Sequence, residues 1–260
     1  MGDTGYTPTP SVFLSLTATV ELALFTLAAL LTSMLSAVAG LGGGVLLMLL
    51  MPGLVPVAAV IPLHAVVQSV SNAARVAFAL PSVAIGLVPP LLLGSLAGAL
   101  VGSLSVGMVS LEWLPAVAGA VILIITWLPV AAIIPRGRVA FYVLGFYQTG
   151  LGMLAGATGP LGASVLTLIR KDRDWLVVNT GVYMTINHLI RSFAYGLLGF
   201  AFAPWWQTIA AMSVAMVVGS WLGTIVRHRI PQALFEQAFK WLITVLALRM
   251  VSLTFSEVAA

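Results

Sequence analysis

Polar side chains recur along one segment in the first half of the chain that is otherwise almost entirely apolar. They are His64, Gln68, Asn72 and Arg75, and their spacings of four, four and three residues place them on one face of a helix. No acidic residue lies near Arg75 in the sequence, and an unbalanced guanidinium is costly inside a membrane. We expect a transported anion to supply the counter-charge, and His64 to carry a proton, because histidine titrates near neutral pH. The competing explanation for Arg75 is a long side chain that reaches the membrane surface.

The second half of the chain carries a related stripe, 116 positions later. The aligned and adjacent positions are Asn179, Thr180, Tyr183, Met184, Asn187, His188 and Arg191. We predict that Asn187, His188 and Arg191 line a substrate site together with the first stripe, and that His188 is the second candidate for proton coupling. Hydrogen bonding between packed helices is the alternative role for buried Asn, Gln and His.

Glycine clusters interrupt the apolar segments ahead of each stripe. The first is Gly40-Leu41-Gly42-Gly43-Gly44 and the second, 116 positions later, is Gly156-Ala157-Thr158-Gly159-Pro160. A helix that restarts inside a membrane presents free backbone N–H groups and a positive dipole end, which favour an anion. We therefore assign Gly42, Gly43, Gly44, Thr158 and Gly159 to the substrate site. Thr158 is expected to cap the second short helix and Pro160 to occupy its first turn. The alternative is that the glycines only form tight turns.

The composition argues against several other kinds of site. The chain has no cysteine and only seven acidic residues, and these form neither a carboxylate cluster nor an H-E-x-x-H motif. We therefore expect no metal and no cofactor. Ser69 and Ser164 have no His and Asp at a readable spacing, so we expect a protein that is not an enzyme. The net charge of +4 lies mostly in short loops, where it sets membrane orientation and does not indicate a nucleic-acid partner.

The elements that position these residues are apolar helices. The chain is 61% hydrophobic and 7% charged, whereas soluble domains carry about 25% charged residues. We predict an all-α polytopic membrane protein with eight full spans and two half-helices. Residues 1–135 form a first repeat and residues 136–260 a second, inverted one, each a broken-helix hairpin plus three transmembrane helices. Small residues at every fourth position predict close helix packing; they are Gly94, Gly98, Gly102, Ala211, Ala215, Gly219 and Gly223.

Basic residues in the loops predict the orientation. They cluster at Arg136–Arg138, Arg170–Arg173 and Arg227–Arg229, and we place all three loops in the cytoplasm. One helix and one half-helix separate the first two loops, so this hairpin enters and returns on one side. Three further crossings in each repeat then invert the second repeat relative to the first. We expect a multi-pass protein of the bacterial inner membrane with both termini outside.

The order of these motifs resembles the sulfite exporter TauE/SafE family, also called the toluene sulfonate uptake permease family. The resemblance extends from roughly Thr26 to Met250 and rests on the repeated pattern of helix, glycine cluster and half-helix. The two motifs are Ala39-Gly40-Leu41-Gly42-Gly43-Gly44, with a turn at Pro52-Gly53, and Ala155-Gly156-Ala157-Thr158-Gly159-Pro160-Leu161. Many members carry a Thr-Ser pair where this chain has Pro62-Leu63. The resemblance implies export or uptake of sulfite, sulfoacetate or related organosulfur anions.

Together these features predict a secondary transporter of a small sulfonate, sulfite or carboxylate anion that works by alternating access at a midplane site. The alternative is an anion channel with two re-entrant half-helices. Countertransport or saturable flux with a steep temperature dependence favours the carrier. The expected partners are the anionic substrate, the lipid bilayer, a coupled proton and a second copy of the chain in a homodimer.

Overall fold

The computed structural model describes residues 16–39, 42–52, 54–106, 108–110, 112–128, 137–156, 158, 160–227 and 232–258. In this part of the chain the regular secondary structure is helical, apart from one isolated bridge between Pro52 and Val55. The ten α-helices are α1 Leu16–Ala39, α2 Gly43–Leu50, α3 Val57–Ala77, α4 Val88–Ser105, α5 Leu114–Trp127, α6 Arg138–Ala155, α7 Pro160–Thr167, α8 Arg173–Leu197, α9 Trp206–Val226 and α10 Gln232–Val258. The prediction of an all-α fold is confirmed for these residues.

Several of the described helices are long and apolar enough to cross a membrane. Four meet this description by length and composition: Val20–Val38, Val57–Ala77, Ile85–Ser105 and Ala203–Val226. The apolar helix α5 is shorter, while α8 and α10 have 25 and 27 residues but carry more polar and charged side chains. The span in α3 is 72% buried, against 33% for the spans in α1 and α9, so α3 lies at the centre. Eight full spans remain a prediction.

The glycine clusters end one helix and begin a short one, as the sequence predicts. Ala39 ends α1 and Ala155, 116 positions later, ends α6. Gly42 precedes α2 with φ 99° and Gly156 follows α6 with φ 71°, and only glycine adopts this region without strain. The short helices α2 and α7 have eight residues each. Pro160 is the first residue of α7, where its fixed φ fits and its missing N–H is no loss.

The first helix of each half packs along the third long helix of the other half. α1 lies along α9, and α6 lies along α4. A Cβ at Gly219 of α9 would come within 2.3 Å of the Leu30 carbonyl oxygen, and one at Gly98 of α4 within 2.1 Å of the Phe146 carbonyl oxygen. Phe146 follows Leu30 by 116 positions. The predicted small-residue faces therefore let backbones touch in both helix pairs.

The central helices α3 and α8 pack in opposite directions. Near the start of α3, the ring of His64 lies 5.4 Å from that of His188, in the second half of α8. Near the end of α3, a Cβ added at Gly181 would lie 3.2 Å from the carbonyl oxygen of Asn72. α5 and α10 are also antiparallel, because Trp113 contacts Phe255 and Trp127 contacts Trp241. The polar stripes of α3 and α8 thus meet along a shared core.

Charged groups join three helix ends on one face of the molecule. The Arg227 guanidinium at the end of α9 lies 2.8 Å from the Asp174 carboxylate at the start of α8. Arg173 donates to the Val38 carbonyl at the end of α1, 2.6 Å away. The Arg170–Arg173 loop and Arg227 therefore lie on the same face. The Arg136 and Arg229 positions of the predicted cytoplasmic loops lie outside the described residues.

Candidate functional site

The polar stripe of α3 is buried along its whole length. His64, Gln68, Asn72 and Arg75 are each at most 5% exposed. α3 ends at Ala77, so Arg75 lies in its last turn, yet its guanidinium turns into the protein instead of reaching the membrane surface. The stripe of α8 is buried in the same way, including Asn187, His188 and Arg191. The sequence spacing therefore identified the inward face of both helices.

Arg75 contacts the end of the first broken helix. Its Nη1 donates to the carbonyl oxygen of Ser36 at 3.2 Å, and its Nη2 donates to Oδ1 of Asn72. Ser36 lies in the last turn of α1, where backbone carbonyls have no partner within the helix and carry the negative end of the helix dipole. The helix end therefore balances part of the arginine charge.

Arg191 makes the corresponding contact in the second half. Its Nη1 donates to the carbonyl oxygens of Gly152 at 2.7 Å and Gly156 at 2.5 Å, and its Nη2 contacts Nδ1 of His188. Gly152 follows Ser36 by 116 positions, as Arg191 follows Arg75. The sequence alone suggested that an anion must supply the counter-charge. The structure adds carbonyl groups near the broken helix ends, which accept hydrogen bonds from both buried arginines.

The partners of the two histidines define which nitrogen carries the proton. Nε2 of His64 lies 2.8 Å from the carbonyl oxygen of Gly44, which can only accept, so this nitrogen carries a hydrogen. Nδ1 of His188 faces the guanidinium of Arg191, which can only donate, so this nitrogen is an acceptor and Nε2 carries the hydrogen. His64 therefore offers a free Nδ1 lone pair and His188 offers a free Nε2–H.

Several buried polar atoms of α3, α6 and α8 have no hydrogen-bond partner among the described residues. They are Nδ1 of His64, Nε2 of Gln68, Oγ1 of Thr149, Nδ2 and Oδ1 of Asn187, Nε2 of His188 and Nε of Arg191. Leaving a buried polar group unpaired costs about 1–3 kcal/mol, so such a group indicates a partner that the described residues do not supply, either a ligand or water. N–H donors outnumber lone pairs in this set. The cluster fits a ligand that mainly accepts hydrogen bonds.

The glycines predicted to bind substrate divide between two roles. A Cβ at Gly43 would lie 1.8 Å from the carbonyl oxygen of Thr32, so Gly43 lets α2 approach α1 and faces away from the stripe. A Cβ at Gly44 would lie 3.2 Å from the side-chain amide of Gln68, so Gly44 faces the stripe. Gly42 supplies the positive φ ahead of α2. Gly159 lies outside the described residues.

Thr158 is bound to Gln148, and its predicted role as a cap of α7 stays a prediction. Its hydroxyl donates to Gln148 of α6, with Oε1 at 2.7 Å, and Nε2 of Gln148 donates back to the Thr158 carbonyl at 2.6 Å. This reciprocal pair ties the second break to α6 before α7 begins.

Sequence reasoning did not single out Gln148 and Thr149, which are both fully buried on α6. Thr32 and Ser33 precede them by 116 positions on α1 and are also buried. A pair of polar residues in the same register of two apolar helices is the signal that could have identified them.

A family model described as Sulfite exporter TauE/SafE matches residues 25–250. The chain belongs to this family. TauE/SafE proteins are membrane transporters and not enzymes. As a member of this family with several apolar helices, this chain is a multi-pass membrane protein. The matched range includes both glycine clusters, both arginines and both histidines of the candidate site. No curated protein and no solved structure matches the chain.

Proposed function

We propose that this TauE/SafE protein is a secondary transporter of a small sulfur oxyanion, with sulfite as the first candidate and sulfoacetate or a similar sulfonate or carboxylate as the next. The observation that carries the proposal is the set of buried, unpaired donors on the facing polar stripes of α3 and α8. Nε of Arg191, Nε2 of His188 and Nε2 of Gln68 all need an acceptor. An oxyanion offers only acceptors and a negative charge, so it satisfies both requirements at once.

The narrow surroundings favour an anion of few atoms. A Cβ at Gly152 would lie 2.7 Å from Nη1 of Arg191, and the Gly44 backbone lies directly against Gln68. These contacts leave little room on the α2 and α6 sides of the cluster. Sulfite suits such a site better than an aromatic sulfonate does.

We further propose that the chain consists of two inverted repeats, residues 1–135 and 136–260, and works by alternating access. Three observations support the arrangement. Arg75 and Arg191 each bind the carbonyl of the residue 39 positions earlier, at Ser36 and Gly152. The central helices α3 and α8 are antiparallel, and α1 and α6 exchange partners between the halves. The basic face of Arg173 and Arg227 would be cytoplasmic, both termini outside, and the membrane the bacterial inner one.

The test is sulfite binding and flux with purified protein in liposomes. Sulfite should bind saturably, and an outward gradient of unlabelled sulfite should drive uptake of labelled sulfite. Arg191→Gln should weaken both, whereas Arg249→Gln, the same change at an exposed arginine of α10, should leave both unchanged. Non-saturable flux without countertransport would favour a channel. Absence of sulfite, sulfoacetate and acetate binding would overturn the proposed function.

A further inference from the structure

The two histidines of the site differ in the group that faces the nitrogen on which a second proton would bind. Their rings are in edge contact, with centroids 5.4 Å apart, and both are fully buried. We infer that His64 takes up a proton at Nδ1 when the anion binds, whereas His188 remains neutral and donates its Nε2–H to the anion. This inference rests on the proposed function and identifies which of the two candidates couples the proton.

The contact with Arg191 prevents His188 from accepting a proton. A second proton on His188 would have to reside on Nδ1, because Nε2 already carries one. That nitrogen faces Nη2 of Arg191, so a donor would point at a donor and a cation would lie against a cation. The guanidinium has no freedom to turn away, because its Nη1 is held by the carbonyls of Gly152 and Gly156.

His64 has room for the same change. Its Nε2–H already donates to the Gly44 carbonyl, and this bond is kept when the ring is protonated. Its Nδ1 has no partner among the described residues, so a proton there displaces no hydrogen bond. The charged and titratable groups facing His64 are His188 and Arg191 of α8. Of the other helices that pack against α3, α9 contains no charged residue, α6 has only the exposed Arg138 at its first position, and α2 contributes only backbone and apolar side chains.

The anion and the proton should favour each other's binding. A proton on His64 adds a positive charge near Arg191, and an anion between them compensates that charge. Linkage requires the effect to be reciprocal, so the protonated ring binds the anion more tightly. The proton comes from hydronium or a buffer acid in the solution, whose bond to it breaks as the N–H bond at Nδ1 forms. The bound state then holds one negative ligand and one extra proton.

Calorimetry of sulfite binding in buffers of different ionisation enthalpy counts the protons that bind with the anion. After subtraction of sulfite's own titration, wild type should take up about one proton per anion above the range in which free histidine is protonated. His64→Gln should lose this uptake, since Gln still donates to Gly44 but has no basic nitrogen. His188→Asn should keep it while binding sulfite more weakly, because Asn Oδ1 still accepts from Arg191.

Each result decides the inference. Proton uptake that persists in His64→Gln, or is absent in wild type, overturns it. If wild type fails to bind sulfite and the other anions, the proposed function fails and the inference falls with it. If wild type binds sulfite without proton uptake, only the inference fails.

Nitrogen-15 NMR of labelled histidines gives a second readout, and His188→Asn assigns the two buried rings if His64→Gln does not fold. The chain has three histidines, and His228→Gln assigns the third. Without anion, both buried rings should show the Nε2–H form. With sulfite, one ring should become doubly protonated, and this signal should be absent in His64→Gln. A doubly protonated His188 would contradict the inference. This outcome can be read in the wild type even if His64→Gln does not fold.

Discussion

Arg75 and Arg191 make a corresponding backbone contact but have different side chains around them. Each arginine donates to the carbonyl 39 positions earlier, at the end of a broken helix, and each contacts the side chain three positions earlier. In the first half that side chain is Asn72, and in the second it is His188. Around Arg75, the Asn72 amide is fully used, because Nδ2 donates to the Gln68 carbonyl and Oδ1 accepts from Arg75. Around Arg191, the corresponding side chain keeps an open donor, because Nε2 of His188 has no partner among the described residues.

This difference shows that matching contacts 116 positions apart need not give two equal sites. Antiparallel packing of α3 and α8 brings His64 of the first half to His188 and Arg191 of the second. The position 116 residues after His64 is Thr180, so no histidine comes from α8 to Asn72 and Arg75. Both buried histidines therefore lie near Arg191. We expect one anion to bind there, and not one in each half.

The strongest test of the correspondence between the halves replaces the glycines that join them. Gly98→Leu and Gly219→Leu should each lower the free energy of unfolding by more than about 3 kcal/mol, because a side chain would collide with a neighbouring backbone carbonyl. Yield and thermal unfolding in detergent measure the effect. Gly86→Leu is the control, since nothing lies within 4 Å of its Cβ position. A large loss at only one of the two glycines would break the equivalence of the halves.

Variants of the two arginines should distinguish a structural role from a role in anion binding. Arg191→Gln should weaken sulfite binding by about 1.5–3 kcal/mol, roughly tenfold or more, the scale of a charged hydrogen bond. Arg75→Gln should lower thermal stability but change sulfite affinity much less. Arg191→Lys should retain only part of the sulfite affinity, since lysine lacks the planar guanidinium group that donates two parallel hydrogen bonds. Titration of sulfite into each purified variant gives the affinities. Equal losses in the two Gln variants would mean that both halves bind anion.

Ser33 and Thr149 lie at corresponding positions of α1 and α6, and their hydroxyl groups differ in hydrogen bonding. Ser33 donates to the Met216 carbonyl at 2.7 Å and lies 2.8 Å from the hydroxyls of Ser71 and Ser220, so it joins α1 to α3 and α9. Thr149, 116 positions later, has an unpaired hydroxyl. Ser33→Ala should therefore cost about 1–2 kcal/mol of stability, whereas Thr149→Val should cost little.

The measurement for this pair is thermal unfolding of both variants, followed by sulfite titration. A stability loss in Thr149→Val as large as that in Ser33→Ala would show that the Thr149 hydroxyl is also structural.

The smallest expected effect comes from making the second half resemble the first. His188→Asn copies Asn72, keeps an acceptor for Arg191 and removes the Nε2–H donor. It should weaken sulfite binding by about 1 kcal/mol, roughly fivefold, the net value of one hydrogen bond. The converse change, Asn72→His, should not improve binding, because no second histidine faces it. Competition titrations resolve differences of this size. An unchanged affinity in His188→Asn would remove His188 from the anion site.

The sequence predicted what depends on local spacing. The three- and four-residue spacing of His64, Gln68, Asn72 and Arg75 identified a buried helix face, and the glycine clusters identified the helix breaks. It could not predict that Arg191 would meet the carbonyls of Gly152 and Gly156, because this contact depends on how α6 and α8 pack. Gly43 is a similar case, since its closeness to the α1 backbone follows only from the tertiary arrangement. The proton positions of the histidines likewise depend on partners supplied by other helices.

The exchange of partners between α1 and α9, and between α6 and α4, has a consequence for how the protein is made. The glycine faces of α9 provide the surface that the α1 backbone contacts, and α9 is the ninth of the ten described helices to leave the ribosome. α1 therefore enters the bilayer long before its main neighbour exists. Until then, the hydroxyl of Ser33 lacks its partners Met216 and Ser220 on α9, and only Ser71 of α3 can pair with it. A ribosome stalled after α5 should hold an inserted but incompletely assembled chain, which proteases can still cleave.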